Sequence, residues 1–215
     1  MKNTSEISGY RYDDPEQNCS HGYILPAVLA ELDRLKSASS TNNQPPRVFD
    51  LGCGNGSIAQ VMDAQGWDVT GVDPSVEGIA EARKSYPDLS LSSGSAYDDL
   101  AKEHGRYPVV ISLEVVEHVY APRDYATTLF DLLEPGGTAI VSTPYHGYLK
   151  NLALAVTGSM DKHFTALWDH GHIKFWSVRT LTELLNEVGF VDVRFLRVGR
   201  VPPLAKSMIA IARKP

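Results

Sequence analysis

The chain has 215 residues, 43% of them hydrophobic, and a formal net charge of −6, which suits one α/β domain with an extra segment. Its lysines and arginines are scattered rather than grouped in runs, which argues against a nucleic-acid partner because such proteins usually carry a basic face. We expect a cytoplasmic protein, since the sequence shows no secretion signal, no membrane span and only two cysteines, Cys19 and Cys53.

Residues 1–46 are predicted to form an N-terminal arm, a helix and a turn-rich connection. The helix begins at Ile24, and Val28 and Leu32 follow at helical spacing. Tyr12 lies in the arm before it. Two interpretations of the arm stay open: a lid that folds over a ligand, or an undocked tail.

From residue 47, strands and helices alternate along the chain. Strands are predicted at Arg47–Leu51, Asp68–Asp73, 89–93, Tyr107–Leu113 and 138–143, and helices from residue 57 and over 77–86, 123–133 and 177–188. The Pro135-Gly136-Gly137 run is expected to stop the helix at residue 133. Such alternation indicates a parallel sheet with helices on both faces.

Only a short connection separates the last two strands, Val191–Val198 and Ser207–Arg213. A connection of this length favours a hairpin, which places an antiparallel pair at the edge of the sheet. The predicted fold class is therefore α/β: a Rossmann-like, seven-stranded, mostly parallel sheet with an antiparallel C-terminal edge hairpin. Residues 47–215 form this domain, and residues 145–177 are expected to be an insert that covers the substrate.

The stretch VFDLGCGNGS, residues 48–57, joins the first strand to a helix. Gly52, Gly54 and Gly56 permit a tight turn and a close approach of ligand to backbone. The spacing is Gly-x-Gly-x-Gly, whereas a dinucleotide site needs a third glycine where this chain has Ser57. Asp50, before the first glycine, suits a cationic ligand better than a phosphate.

Asp73 ends the second strand, where an acid commonly binds ribose hydroxyls in Rossmann-like folds. A strand, a glycine loop, a helix, a strand and an acid at this spacing together predict an adenosyl site. The alternative is a structural glycine turn beside a solvated Asp73, and the combined pattern makes it the weaker interpretation.

On these residues the chain resembles the class I S-adenosylmethionine-dependent methyltransferases, and more closely the branch with the ubiquinone-biosynthesis O-methyltransferases. The matching stretches are FDLGCGNG (49–56), VTGVDPS (69–75), VVISLEVVEHV (109–119) and LLEPGGTAIVSTP (132–144). The resemblance implies S-adenosylmethionine as the cofactor and S-adenosylhomocysteine as its product.

The resemblance also implies which residues bind the cofactor. The expected set is Asp50, Gly52, Gly54, Gly56, Asp73, Pro74, Ser95, Ala96 and Glu114. Asp50 and the first two glycines would hold the methionine part, and Asp73 the ribose. Ser95 stands where the family often has an acid that accepts the adenine amine, so this contact is expected to fall to Ser95 and the Ala96 backbone.

The segment after the fourth strand, at the end of the sheet where such folds bind ligands, contains Glu114, Glu117 and His118. His118 is a candidate general base, because imidazole has a reference pKa of about 6.5 and a phenol must lose its proton. The ubiquinone branch is thought to use a metal ion here, which makes all three residues candidate ligands. We favour an interpretation without a metal, because hard cations usually want more oxygen ligands.

Two groups of residues are predicted to face the acceptor. Tyr145 and His146 follow the fifth strand as further catalytic candidates, the alternative being ordinary turn residues. The predicted acceptor-binding residues are Tyr12, His163, Trp168, His170, His172 and Trp176. For the loop 163–177 the alternatives are a plain connection anchored by its aromatic rings and, more weakly, a zinc site.

The apolar segment 148–158 is predicted to be a helix, for which a buried position or a homodimer face is favoured over membrane contact. The sequence thus favours methyl transfer to an oxygen of a small molecule, with N- or C-methylation open. A nucleotide-dependent oxidoreductase would need the missing glycine. A non-catalytic cofactor-binding subunit would not need the polar residues at 114, 118, 145 and 146.

Overall fold

The structure of the protein is a computed structural model that describes residues 21–38, 45–168 and 171–215. Its strands are β1 Arg47–Leu51, β2 Asp68–Asp73, β3 Ser90–Ser93, β4 Tyr107–Leu113, β5 Leu133–Pro144, β6 Val191–Val198 and β7 Ser207–Arg213. Its helices are α1 His21–Ala38, α2 Ser57–Ala64, α3 Val76–Ser85, α4 Leu100–His104, α5 Pro122–Asp131, α6 Tyr148–Val156, α7 Met160–Phe164 and α8 Val178–Glu187. A short 3-10 helix, Pro202–Leu204, lies between β6 and β7.

The seven strands form one sheet in the order β3-β2-β1-β4-β5-β7-β6. Strands β1 to β5 pair in parallel, and β7 pairs antiparallel with both β5 and β6. The predicted fold class is confirmed, including the C-terminal hairpin. Because β1, β2, β4 and β5 run in the same direction, their carboxyl ends meet at one edge, and ligands of open α/β sheets bind at such an edge.

Helices cover both faces of the sheet because each carries one apolar stripe. Tyr125 of α5 and Leu181 of α8 pack on one face, where the core also contains Phe49. Ile24 of α1 and Ile58 of α2 pack on the other. Helix α1, which we grouped with the N-terminal arm, therefore belongs to the same packed body as the sheet.

The prediction that the Pro-Gly-Gly run ends a helix was wrong, since α5 ends at Asp131 and β5 already begins at Leu133. The backbone of the run continues the sheet. Gly136 N donates to the Lys214 carbonyl at 3.0 Å, and Lys214 N donates to the Gly137 carbonyl at 2.9 Å. Gly136 has a φ of +80°, which glycine adopts at little cost.

The segment after β5 differs from expectation in its burial. It forms α6, as predicted, but α6 buries none of its residues within the chain. The buried interpretation is thus wrong, and a homodimer through this face stays a prediction. In the part of the chain that the structure describes, no helix has the length and apolar character needed to cross a membrane.

Candidate active site

A cavity of about 1220 Å³ opens at the carboxyl ends of the parallel strands. Single-ligand pockets usually span about 300–1,000 Å³, so this cavity has room for a cofactor and a second molecule. Its walls come from the glycine loop, the ends of β2, β4 and β5, the α6–α7 region and the β6–β7 connection.

The glycine loop owes its shape to three left-handed residues. Gly52, Gly54 and Gly56 have φ values of +95°, +54° and +78°, a region in which other L-residues are strained. A side chain at Gly52 would collide with the side chain of Val115, and one at Gly56 would come within 2.7 Å of Leu91 Cδ1. Glycine is therefore required at both positions for steric as well as conformational reasons.

Asp73 holds the glycine loop against the end of β2. Gly54 N donates to its Oδ2 at 2.9 Å and Ser75 N to its Oδ1 at 2.8 Å. Burial raises the pKa of Asp73, while these two backbone donors act in the opposite direction. Each carboxylate oxygen can accept a second hydrogen bond, and Asp73 lines the cavity, so it is placed to receive hydroxyl donors from a ligand.

Asp50 is a buried carboxyl group with an unpartnered oxygen. It is 2% exposed, and its Oδ2 has no hydrogen-bond partner among the described residues. Burial, together with the charge of Asp73, raises the pKa of Asp50 to about 7. A ligand cation would supply the missing partner, because a buried carboxylate is costly unless it is paired.

Glu114 follows β4 with a φ of +57°, a strained value for a residue with a side chain. Its N–H donates to the Ser142 carbonyl at 3.1 Å, and Ser142 Oγ donates to its Oε1 at 2.8 Å. Burial raises the pKa of Glu114 to about 7, although Ser142 and Lys150 act in the opposite direction. The strained turn thus keeps a carboxyl group at the centre of the cavity wall.

A trio of potential metal ligands lies beside Glu114. One carboxylate oxygen of Glu117 and one nitrogen each of His118 and His172 lie within 4.8 Å of one another. Within the described ranges neither Glu117 oxygen makes a well-formed hydrogen bond, although the Thr143 hydroxyl is close. Burial and the neighbouring Glu114 raise the pKa of Glu117.

This trio differs from the one implied by the sequence resemblance. His172 takes the place predicted for Glu114 as the third potential ligand. Glu114 instead accepts a hydrogen bond from Ser142 Oγ. One carboxylate and two imidazoles fit a borderline ion such as Zn²⁺ better than Mg²⁺ or Ca²⁺, which prefer oxygen ligands. The unsatisfied carboxylate of Glu117 is compatible with such an ion.

Aromatic rings from the segment after β5 form part of the cavity wall, which we call the aromatic wall. His146 lies 5.2 Å from His163 and 5.9 Å from Phe164, and Phe164 lies 4.6 Å from Phe175, measured between ring centroids. Trp168 lies 6.0 Å from the His118 ring. Burial lowers the pKa of His146 to about 4, so at neutral pH its ring is uncharged.

The structure brings most of the predicted site residues to the cavity. Those that line it are Asp50, Gly52, Gly54, Asp73, Pro74, Ser95, Ala96, Glu114, His118, His146, His163, Trp168 and His172. Tyr12 and His170 lie outside the described residues.

Three predicted site residues face elsewhere. Tyr145 packs in the core, and Trp176 donates from Nε1 to the Val116 carbonyl at 3.0 Å. Gly56 serves as the N-cap of α2. Tyr145 and Trp176 do not line the cavity. Trp176 instead anchors its loop, which is the alternative left open for the 163–177 loop.

Several residues that line the cavity were not predicted from the sequence, among them His21 and Tyr23 of α1, Lys150 of α6 and Arg200. Nothing in the sequence places the start of α1 beside the sheet edge. Lys150, however, is the single charged residue in the apolar stretch 148–158, a signal that pointed to it.

The sequence profile described as "Methyltransferase domain" matches residues 23–194. The ubiquinone biosynthesis O-methyltransferase of Cereibacter sphaeroides is 33% identical over 182 residues, which span 81% of this chain and 72% of that protein. This chain belongs to the S-adenosylmethionine-dependent methyltransferases. Its Roseobacter denitrificans relative of the same name is 32% identical over 179 residues, with 81% and 71% of the two chains covered.

Solved structures agree with this methyltransferase in fold. The magnesium protoporphyrin IX methyltransferase of Synechocystis, solved with bound S-adenosylhomocysteine, superposes with a TM-score of 0.64 at 20% identity. The match covers 95% of this chain and 91% of that one. S-adenosylmethionine is the cofactor of the family to which this chain belongs.

Proposed function

We propose that this methyltransferase transfers a methyl group from S-adenosylmethionine to an oxygen of a small phenolic acceptor. The observation that carries the proposal is one cavity in which the buried carboxyl groups of Asp50 and Asp73 face the same space as His118 and the aromatic wall. The relatives named ubiquinone biosynthesis O-methyltransferase support an oxygen as the acceptor atom.

In the proposed complex the glycine loop and its carboxylates bind the cofactor. Asp50 accepts from the ammonium group of the methionine part, and the open lone pairs of Asp73 accept from the ribose hydroxyls. Pro74, Ser95 and Ala96 line the adenine end. S-adenosylmethionine supplies a methyl group on a positively charged sulfur, which is already activated for in-line displacement.

His118 is proposed to remove the phenol proton. As the oxygen–methyl bond forms and the methyl–sulfur bond breaks, the proton passes to an imidazole nitrogen of His118. The aromatic rings at positions 163 and 168 orient the acceptor and exclude water. Positioning and proton transfer are the main contributions that a protein can make to such a displacement.

A second route is favoured by the unsatisfied carboxylate of Glu117. Glu117, His118 and His172 would hold a divalent ion, which when bound would polarise the acceptor oxygen as a Lewis acid. Under this route His118 would be a ligand and would not take the proton, which the polarised phenol would release to solvent water. The two routes therefore predict different effects of chelation.

The test is transfer of the isotope-labelled methyl group to matched phenols, catechols and anilines, with the methylated atom located by mass spectrometry. Label on a phenolic oxygen supports the proposal, and label on nitrogen or carbon alone contradicts it. Turnover that survives exhaustive dialysis against a chelator supports His118 as the base. Turnover that is lost and then restored by Zn²⁺ or Mn²⁺, with one equivalent of metal found by elemental analysis, supports the second route.

A further inference from the structure

Four cationic side chains line the cavity: Lys150 of α6, Lys162 of α7, and Arg200 and Lys206 of the β6–β7 connection. Asp73 stands at the end of β2, and four strand spacings separate β2 from β7 in the sheet, which amounts to about 19 Å. The cofactor end of the cavity is thus acidic, while the opposite end is basic in a protein whose net charge is −6.

The four cavity cations lack the carboxylate partner that most of the described arginines outside the cavity have. Six arginines form ion pairs with carboxylates: Arg34, Arg47, Arg123, Arg179, Arg194 and Arg213. No carboxylate among the described residues forms an ion pair with any of the four cavity cations. Their positive charge is therefore available to a bound molecule.

Lys150 is the most enclosed of the four cations: its side chain is partly buried, whereas the other three are exposed. It is therefore the best placed to bind a ligand anion. Its Nζ donates to the Lys206 carbonyl at 3.3 Å, which fixes the ammonium group at the junction of α6 with the β6–β7 connection. Burial and the charge of Arg200 lower its pKa to about 8, while Glu114 acts in the opposite direction. A partly buried cation beside another cation is destabilised until an anion binds.

The charge of Glu114 acts on Lys150, but Glu114 accepts a hydrogen bond from Ser142 Oγ and forms no ion pair with the lysine. Glu114 lies at the end of β4, midway between β2 and β7 in the strand order. An acceptor that reaches from the reaction centre to the basic end would place a negative substituent beside Lys150.

We propose that the acceptor carries a carboxylate group, which Lys150 and Arg200 bind at the end of the cavity opposite the cofactor. This inference rests on the proposed function for the place of the acceptor. It adds the chemical class of the acceptor, a hydroxylated aromatic acid, and names the residues that select it.

The test is calorimetric binding of 3,4-dihydroxybenzoate and of its uncharged analogue 3,4-dihydroxybenzamide to the full chain saturated with S-adenosylhomocysteine. We expect the benzoate to bind at least about tenfold more tightly, the gain typical of one charge-assisted contact. Equal affinities, tighter binding of the amide, or no binding of the benzoate would overturn the inference.

Variants locate the effect. Lys150→Met keeps the apolar stem and should abolish the preference for the benzoate, while Lys150→Arg should retain it. Lys102→Met, on the exposed surface of α4, is the matched control and should bind both compounds as the wild type does. A preference that survives both Lys150→Met and Arg200→Gln would overturn the assignment to these residues.

The outcomes for this inference and for the proposed function are separable. If S-adenosylhomocysteine binds and both compounds are methylated equally well, the carboxylate site fails and the proposed function stands. If the benzoate is preferred in binding but no compound is methylated on oxygen, the carboxylate site stands and the proposed reaction fails.

Discussion

The two ends of the cavity differ both in charge and in how the chain builds them. The acidic end comes from a single βαβ segment, in which Asp50, Gly52 and Asp73 lie within 24 residues of one another. The basic end combines Lys150 with Arg200, which are far apart in sequence and meet only because the C-terminal hairpin docks beside β5. The proposed cofactor site is therefore local in sequence, whereas the proposed acceptor site depends on tertiary structure.

The largest effect on turnover is expected at His118, the proposed general base. His118→Ala should lower turnover at least about 100-fold, the usual range for loss of a general base, with the affinity for S-adenosylhomocysteine nearly unchanged. Steady-state kinetics and calorimetry measure the two quantities.

His172→Ala is the comparison for this variant. It should keep most of the turnover if His118 acts as a base, whereas both variants should fail alike if the two histidines share a metal ion. Unaltered turnover in His118→Ala would remove His118 from both routes.

The next effect belongs to the acidic end. Asp73→Ala should weaken S-adenosylhomocysteine binding by about 100-fold, because hydrogen bonds to a charged acceptor contribute about 1.5–3 kcal/mol each. Asp68→Ala, at the exposed start of the same strand, is the control and should bind normally. Equal dissociation constants for the two variants would show that the ribose does not contact Asp73.

A smaller effect separates backbone strain from steric collision in the glycine loop. Gly52 and Gly105 have φ values of +95° and +81°, but a side chain would meet Val115 only at Gly52, while Gly105 has open space around it. Gly105 has a ψ of −161°, which with its positive φ is a region essentially restricted to glycine, so Gly105→Ala should lower the free energy of unfolding by about 1–3 kcal/mol. Gly52→Ala should lower it by at least about 1 kcal/mol more. Denaturant titrations yielding equal losses would argue against the tight packing of the loop.

The smallest effect concerns the charge at the basic end. Since the pKa of Lys150 lies near 8, affinity for 3,4-dimethoxybenzoate, which has no phenolic proton, should begin to fall above pH 7.5. It should then fall by up to about tenfold per pH unit above the lysine pKa. The groups around Lys150 are Glu114, His146, His163 and Arg200. Glu114 has a pKa of about 7 and so ionises mainly below pH 7.5, which is why the comparison is made above that pH.

Lys150→Arg is the control for this pH dependence, because its guanidinium stays charged throughout. From pH 7.5 to pH 9.5 its affinity for the same compound should be nearly flat. A flat profile in the wild type would show that Lys150 does not contact the carboxylate.

The fold and the cofactor end were predictable from sequence because their signals are local. Apolar strands, a Gly-x-Gly-x-Gly turn and the acid of Asp73 at the end of β2 each depend on few consecutive residues. The start of β5 could not be predicted from the sequence, because the Pro-Gly-Gly run pairs with Lys214 near the far end of the chain. The short helices α4 and α7 have five residues each, too few for a periodic signal.

For the acceptor end of the cavity, the sequence predicts which segment contributes to the wall but not which of its residues do. Residues 145–177 do contribute to the cavity wall, but the sequence does not say which of their side chains point inward. Tyr145 turns into the core while its neighbour His146 lines the cavity, and His172 approaches Glu117 across more than 50 residues of chain. Such outcomes depend on packing between distant elements, which residue spacing does not encode.

The most direct test of the two-ended cavity is a sequential calorimetric titration of the wild-type protein, first with S-adenosylhomocysteine and then with 3,4-dihydroxybenzoate. We expect one equivalent of each ligand to bind, with the second binding while the first stays bound. Displacement of one ligand by the other, or no binding of S-adenosylhomocysteine at all, would contradict it.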